Sequence, residues 1–224
     1  MDSAKCPYLG VGVYTISEAA QLIHVPSRRV HRWIKKNPLW APDLLKMHDQ
    51  DLLTFLDMIE LRFVDAFRRH KVSMRTIRAA YENAKRIFDS NHPFSLKKFK
   101  TDGYQIFVET VDDNGKESLL EIIKSQYAFG KILNDFLEDV DFLDRDTPQL
   151  WWPLFPNKEI VIDPTRRFGQ PIVSEFGIQT ESIFDLFLAE GRRVDMVADW
   201  YNVSNQAVLA AVNFEEQWKR KIAA

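Results

Sequence analysis

The stretch Thr15 to Lys36, TISEAAQLIHVPSRRVHRWIKK, constrains the fold of this chain more than any other. Its pattern predicts two short helices joined by a tight turn. Thr15 can cap the first helix through its hydroxyl, and Glu18 stands at the spacing from which a carboxylate reaches back to the cap. Ala19, Ala20, Leu22 and Ile23 then form an apolar face, with small residues where another helix must come close. His24-Val25-Pro26 interrupts that pattern. Pro26 disfavours a helical conformation at Val25, and Ser27 can cap the helix that follows. Val30, Trp33 and Ile34 recur at i, i+3 and i+4 and share one face of it.

Arg28, Arg29, His31, Arg32, Lys35 and Lys36 fall largely on its other faces. A run of charge on a helix can be nothing more than a solvated surface. Here it coincides with a capped first helix, paired alanines and a Val-Pro turn. This is the layout of a helix-turn-helix DNA reader, whose second helix enters the groove. Ser27, Arg28, Arg29, His31, Arg32, Lys35 and Lys36 are therefore the candidate DNA contacts. The cations can neutralise phosphates, and arginine can also take guanine bidentately.

The 224 residues carry a formal net charge of -2, so affinity for a polyanion has to come from local segregation of charge. Basic clusters lie in the first half, and acidic segments such as Glu138-Asp139-Val140-Asp141 balance them later. Cys6 is the only cysteine, which excludes an internal disulfide and thiolate metal clusters. A reducing, cytoplasmic setting is expected. No signal peptide is visible, and no stretch approaches the ~20 apolar residues of a membrane span.

Asn37-Pro38 ends the basic helix. Residues 39–53 are expected to form a small strand pair, a wing. Helices are predicted from Phe55 to Arg69 and from a Ser73 cap to about Phe88. The first buries Phe55, Ile59, Phe63, Ala66 and Phe67. The second buries Ile77, Ala80, Tyr81, Ala84 and Phe88 and turns Arg75, Arg78, Lys85 and Arg86 outward. These residues together resemble the MerR-type winged helix-turn-helix domain. In that family the second of the following helices begins after a Gly-Val-Ser turn, and this chain has Lys71-Val72-Ser73 there. The family's long dimerising coiled coil does not follow, because Asn91-His92-Pro93 breaks the chain.

Gly103 to Val111 alternates and is rich in β-formers. Asp112-Asp113-Asn114-Gly115 is hairpin-turn chemistry, and Leu119 to Ile123 is the expected return strand. A helix is expected over residues 125–137, and Trp151-Trp152 is assigned to core packing at a domain junction. Glu159 to Ile162 is strand-like, and Gly169 to Val173 reads as a turn into a short strand. Thr180 can cap a helix that buries Ile183, Phe184 and Phe187. A second helix pair follows, turning at Asn202-Val203-Ser204. Its last helix, Ser204 to Phe214, has no Lys or Arg and so little to offer phosphates.

Gly169-Gln170-Pro171-Ile172-Val173, Thr180, Gly191, Val197-Ala198, Tyr201, Val203-Ser204 and Val208 to Glu215 resemble a small helical domain common in bacterial genomes. That domain is typical of antitoxins whose toxin is a PIN-domain or PIN-like ribonuclease. With its MerR-like front end, the chain is similar to the larger VapB-type antitoxins. Glu175-Phe176-Gly177-Ile178 stands where commoner members carry Gly-Thr-Arg. The resemblance implies operator binding by the N-terminal domain, with dimerisation and toxin neutralisation by the remainder. The toxin would be blocked by a cation placed in its acidic metal cleft. Arg166-Arg167 and Lys219-Arg220-Lys221 are the candidates, and the sequence does not choose between them.

The expected fold class is mainly α with small β elements, α+β. A MerR-like winged helix-turn-helix is assigned to 1–90, a hairpin-and-helix connecting region to 91–162, and a helical antitoxin-type domain with a second helix-turn-helix-like pair to 163–224. His24, His31, His48, His70 and His92 show no H-x-x-x-H spacing, and no P-loop or nucleophile motif occurs. The run Glu138, Asp139, Asp141, Asp144 and Asp146 reads as solvated surface, since magnesium sites draw carboxylates from separate elements. A binding protein is expected: no catalytic residue, metal or cofactor, with operator DNA and a PIN-like ribonuclease toxin as partners, and a homodimer as the form that meets paired half-sites. The alternative is a stand-alone MerR-like regulator whose later domain senses a ligand or oligomerises.

Overall fold

The structure is a computed structural model. It describes residues 9–36, 38–40, 51–99, 102–107, 130, 133, 138–142 and 146–223, the side chains of 218–223 excepted. Helices dominate it, accompanied by two-residue strands. It divides into two compact units, Thr15–Gln149 and Met1–Tyr14 with Leu150–Ala224. No boundary falls at residue 90, where the three-part division of the sequence put one.

In the first unit, the strand that ends at Thr15 (β1, Tyr14–Thr15) leads into α1, Ile16–Leu22. The capping box is present: the Glu18 amide donates to Thr15 Oγ1 at 3.1 Å, and the Thr15 amide donates to Glu18 Oε2 at 2.7 Å. The helix stops where His24 takes a left-handed φ of 57°. α2 spans Ser27–His31, with Ser27 as its first helical residue and no side-chain cap. Pro26 occupies the cap position instead. Its carbonyl accepts the Arg29 amide at 2.7 Å, and proline has no N–H of its own to satisfy there. The helix continues as a wider π turn over Arg32–Lys36.

Most of the expected wing lies outside the described residues. β2, Leu52–Leu53, pairs with the strand ending at Thr15. α3, Phe55–Arg69, is capped by Thr54 and Asp57 in a second capping box. α4, Met74–Phe88, is capped by Ser73. Lys71, at the place of the winged-helix glycine, holds a left-handed φ of 64°. A glycine would adopt that conformation without strain, which is the physical reason for one there. β3, Val140–Asp141, lies near the end of the unit.

The core of this unit is a stack of rings. Phe63 lies 4.2 Å from Phe94 and 4.4 Å from Phe67 between centroids, and Phe67 lies 4.8 Å from Phe107. Phe94 follows the break at Asn91-His92-Pro93, and the short turn Pro93–Ser95 packs on both α3 and α4. That packing is why the chain does not divide at residue 90. The same core overturns the predicted strand at 103–111: residues 102–107 are helical. Phe99, Gly103, Ile106 and Phe107 are all buried, and their spacing is helical. The alternation of β-formers concealed that period. The expected turn at 112–115 and strand at 119–123 lie outside the described residues, as does most of the helix at 125–137; residues 130 and 133 are helical.

In the second unit, β4 (Leu150–Trp151) comes first. β5 (Ile160–Val161) and β6 (Ile172–Val173), both expected as strands, pair antiparallel. Three helices follow: α5 (Thr180–Ala189), α6 (Val194–Tyr201) and α7 (Asn205–Ala223). α7 packs against both helices and the strand pair, burying Ala207, Val208, Ala211 and Phe214. Ser204 caps it, accepting the Ala207 amide at 3.1 Å. Thr180 does not cap α5; Gln179 holds that position. Thr180 is buried, and its hydroxyl donates to Glu215 Oε1 at 2.5 Å, so the residue ties α5 to α7.

Glu60 on α3 is fully buried, and its Oε1 accepts the Ser95 amide at 2.9 Å. Burial pushes its carboxyl well above the usual range, and the nearby Asp57 charge adds to that. A carboxyl raised on folding binds a proton that the unfolded chain releases. Its contribution is complete below pH 4.5, the ordinary carboxyl value, and declines as pH climbs toward the folded value. Glu60→Gln keeps the acceptor for Ser95 and cannot ionise. Urea melts should show it more stable than the parent at pH 7 to 8 and no better near pH 4; a parallel offset at both ends would contradict the ionisation account.

Candidate nucleic-acid interface

The second helix of the Thr15–Lys36 pair sorts its side chains by chemistry. Val30, Trp33 and Ile34 are buried, while Ser27, Arg28, Arg29, His31, Arg32, Lys35 and Lys36 are all exposed. Burying a tryptophan beside two aliphatic residues leaves the intervening positions no direction but outward. Two of the seven are partly engaged at home, since Lys35 forms an ion pair with Asp51 and Arg29 one with Asp65.

A concavity of about 590 Å3 adjoins this helix, lined by Arg29, Arg32, Trp33, Arg68, Arg69, Met74 and Arg78. Five guanidiniums from three helices thus face one space. Arg29 and Arg32 come from the basic stretch. Arg68 and Arg69 end α3, where positive charge also suits the helix dipole. Arg78 stands in the second turn of α4.

Two sets of bonds hold three of these side chains in place. Arg68 donates to the Val72 carbonyl at 2.6 Å. The buried Asp65 carboxylate pairs with Arg69 at 2.6 Å and with Arg29 at 3.5 Å. One carboxylate among five cations leaves a strongly positive, partly ordered hollow, suited to multivalent anions such as phosphate. Arg68 and Arg69 carried no motif in the sequence, and Met74 entered only as the apolar residue after the Lys71-Val72-Ser73 turn. Only the packing of α3 and α4 beside α2 brings them to this place.

The second helix-turn-helix-like pair differs. On α7, Asn205, Gln206, Leu209 and Asn213 are exposed, and none is a cation. Gln206 is already donating to Glu159 at 2.5 Å. Of the residues considered for toxin contact, Arg166 and Arg167 are exposed in the turn before β6. Lys219, Arg220 and Lys221 fall within α7, and their side chains lie outside the described residues.

Among the described residues, no three His, Cys, Asp or Glu side chains are grouped to hold a metal ion. In the acidic run, Asp139 pairs with Arg62 at 2.6 Å and Asp146 with Lys98 at 3.9 Å, and Asp144 lies outside the described residues. No helix among the described residues is long and apolar enough to cross a membrane.

The fold is similar to that of Rv2018 from Mycobacterium tuberculosis, seen in a crystal structure, with a TM-score of 0.75 at 23% identity. The match covers 91% of this chain and 99% of that one. In sequence, the chain is 24% identical over 220 residues to a Mycobacterium tuberculosis protein named "Putative antitoxin VapB45", covering 87% of this chain and 90% of the relative. Residues 160–214 match a family described as protein of unknown function (DUF433). That segment comprises β5, β6, α5, α6 and the first half of α7.

Asp65→Asn tests the electrostatics of the hollow. Arg29 and Arg69 are roughly half exposed or more, at 48% and 64%, so the stability cost should stay within about 1 kcal/mol in a denaturant melt. The hollow loses its paired negative charge, so the full chain should elute from a heparin column at higher salt. Earlier elution would mean that Asp65 contributes by ordering the arginines and not by offsetting them.

Proposed function

We propose that this chain is a DNA-binding antitoxin, one that neutralises a PIN-like ribonuclease toxin and represses its own operon. It acts by binding and not by catalysis, in the cytoplasm. The observation that carries the DNA half is the exposed cationic face of Arg28 to Lys36 beside the five-arginine hollow. With a net charge of -2, this chain has no general attraction for nucleic acid, so the affinity is local to that face. The π turn and α2 enter the major groove, and Arg28, Arg29 and Arg32 meet phosphates and base edges. A homodimer supplies the second half-site.

Likeness along most of the chain to the protein named an antitoxin supports the toxin half. The division of charge agrees with it, because residues 204–214 repeat the helical layout without the cations. The MerR-like character of the first unit belongs to this proposal, as does the antitoxin-type character of the second.

Replacing Arg28, Arg29 and Arg32 together with Ala should weaken operator binding by a few kcal/mol, at about 1–3 kcal/mol for each arginine that reads a base. The slope of log affinity against log salt should flatten by about 0.9 for every phosphate that the variant no longer neutralises. Binding that is unchanged at every salt concentration would move the interface off this helix. The toxin half is read from the product of the adjacent reading frame: it should co-purify with the full chain and lose its ribonuclease activity in the complex.

A further inference from the structure

One turn of the second unit holds two successive non-glycine residues in a left-handed backbone. Arg167, Phe168 and Gly169 run consecutively through left-handed conformations, with φ of 47°, 55° and 80°. Glycine takes such a φ freely, but arginine and phenylalanine do so at a cost. The surroundings hold them there. The Phe168 carbonyl accepts the Val13 amide at 2.8 Å, and the Gly169 carbonyl accepts the Tyr14 hydroxyl at 2.7 Å. Gly169 itself has no alternative, because a Cβ there would run into that hydroxyl.

The strained conformation holds two unlike groups out to solvent. Phe168 is 54% exposed, and Arg167 is exposed beside it. Arg166 lies over the Gly177 backbone, where a Cβ would collide with its guanidinium, and the neighbouring Phe176 is exposed as well. Neither Arg166 nor Arg167 makes an ion pair among the described residues. The nearest acid in sequence, Asp163, has its Oδ1 occupied by the Thr165 amide and hydroxyl at 2.9 and 2.6 Å. Two uncompensated arginines flanked by two bare phenyl rings, on a backbone fixed in advance, form a poor surface for water. They form a good one for a protein partner, since aromatic and arginine anchors dominate binding energy and a rigid display spares ordering entropy. Strain of this kind gathers where a surface works.

We infer that the turn Arg166–Gly169, with Phe176, is the anchor by which this chain seats itself on its protein partner. The complementary face has a carboxylate-lined cleft beside an apolar pocket. The cleft takes Arg166 and Arg167, and the pocket takes Phe168. This inference rests on the antitoxin reading, deepening it by choosing this turn over the Lys219–Lys221 stretch.

Phe168→Gly separates display from architecture. Glycine relieves the backbone and removes the anchor, so the free full-length chain should melt no lower than the parent. Its affinity for the product of the adjacent reading frame, measured by calorimetry, should fall at least about tenfold. Arg167→Glu should lower affinity similarly, chiefly through slower and less salt-sensitive association, because the attraction that salt screens is lost. A Phe168→Gly chain that binds as the parent does would overturn the anchor and leave the antitoxin reading standing. A parent chain with no affinity for that product would overturn both. Loss of operator binding with partner affinity retained would make the turn a nucleic-acid contact and overturn the anchor as well.

Discussion

A buried carboxyl group is unfavourable unless its oxygens find partners, and α3 carries three of them. Each takes a donor from a different part of the first unit, while Glu60 Oε2 meets none among the described residues, in keeping with its raised pKa. Asp57 accepts the Trp40 indole at 2.8 Å and closes the Thr54 cap. Glu60 accepts the Ser95 amide, binding the segment that brings Phe94 into the core. Asp65 reaches Arg29 on the basic helix. α3 is thus both the wall of the aromatic core and the post to which three outlying segments are tied. Apolar side chains of similar size would fill the same space. They would not fix where Trp40, Ser95 and Arg29 stand, because hydrophobic burial has no direction.

The basic helix depends on that fixing. Its cations would be a diffuse solvated face if they stood alone. Arg29, held by Asp65, instead shares a hollow with Arg68 and Arg69 from the end of α3 and Arg78 from α4. Phosphate recognition benefits when guanidiniums converge, since each further contact adds to affinity without further loss of orientational freedom. The second helical pair takes the opposite course. The small residues Ala207, Ala210 and Ala211 allow α7 to approach its neighbours closely, and charge would obstruct that approach. Nearly the same local layout therefore serves two chemistries, and the side chains on the outer face decide which.

Much of this was legible before any coordinates. The extent of α3 follows from the helical spacing of Phe55, Ile59, Phe63 and Phe67, and the start of α4 from the Lys71-Val72-Ser73 turn and its cap, signals that act within a few positions of one another. The inward and outward faces of the basic stretch follow from the spacing of Val30, Trp33 and Ile34. Failures came where two periods compete or where a partner is distant. Residues 103–107 satisfy both strand alternation and helical spacing, and the ring of Phe67 decided for the helix. Ser27 and Thr180 are good caps by type. Pro26 displaced the first, and the buried Glu215, 35 positions away, claimed the second. Arg68 and Arg69 were unremarkable in sequence because their meaning depends on the neighbouring helix.

Position also bears on the strain of the Arg167–Phe168 turn. Left-handed φ values occur at Gly191, Arg192 and Asn202 too; Arg192 bears that conformation at a cost as Arg167 does, whereas glycine and asparagine suit it. A chain selected for stability alone would put such residues at 167 and 168 as well. The hydrogen bonds to Val13 and Tyr14 stabilise the turn whatever its side chains are, so they explain how the strain is tolerated and not why arginine and phenylalanine are there. Gly169 shows the contrast within the same turn: where contact with Tyr14 sets the requirement, the residue is the unstrained one. What sets positions 167 and 168 apart is that two such residues stand in succession, one of them a phenylalanine left in solvent. Packing asks for no ring there, and the anchor inferred above would supply a reason for it.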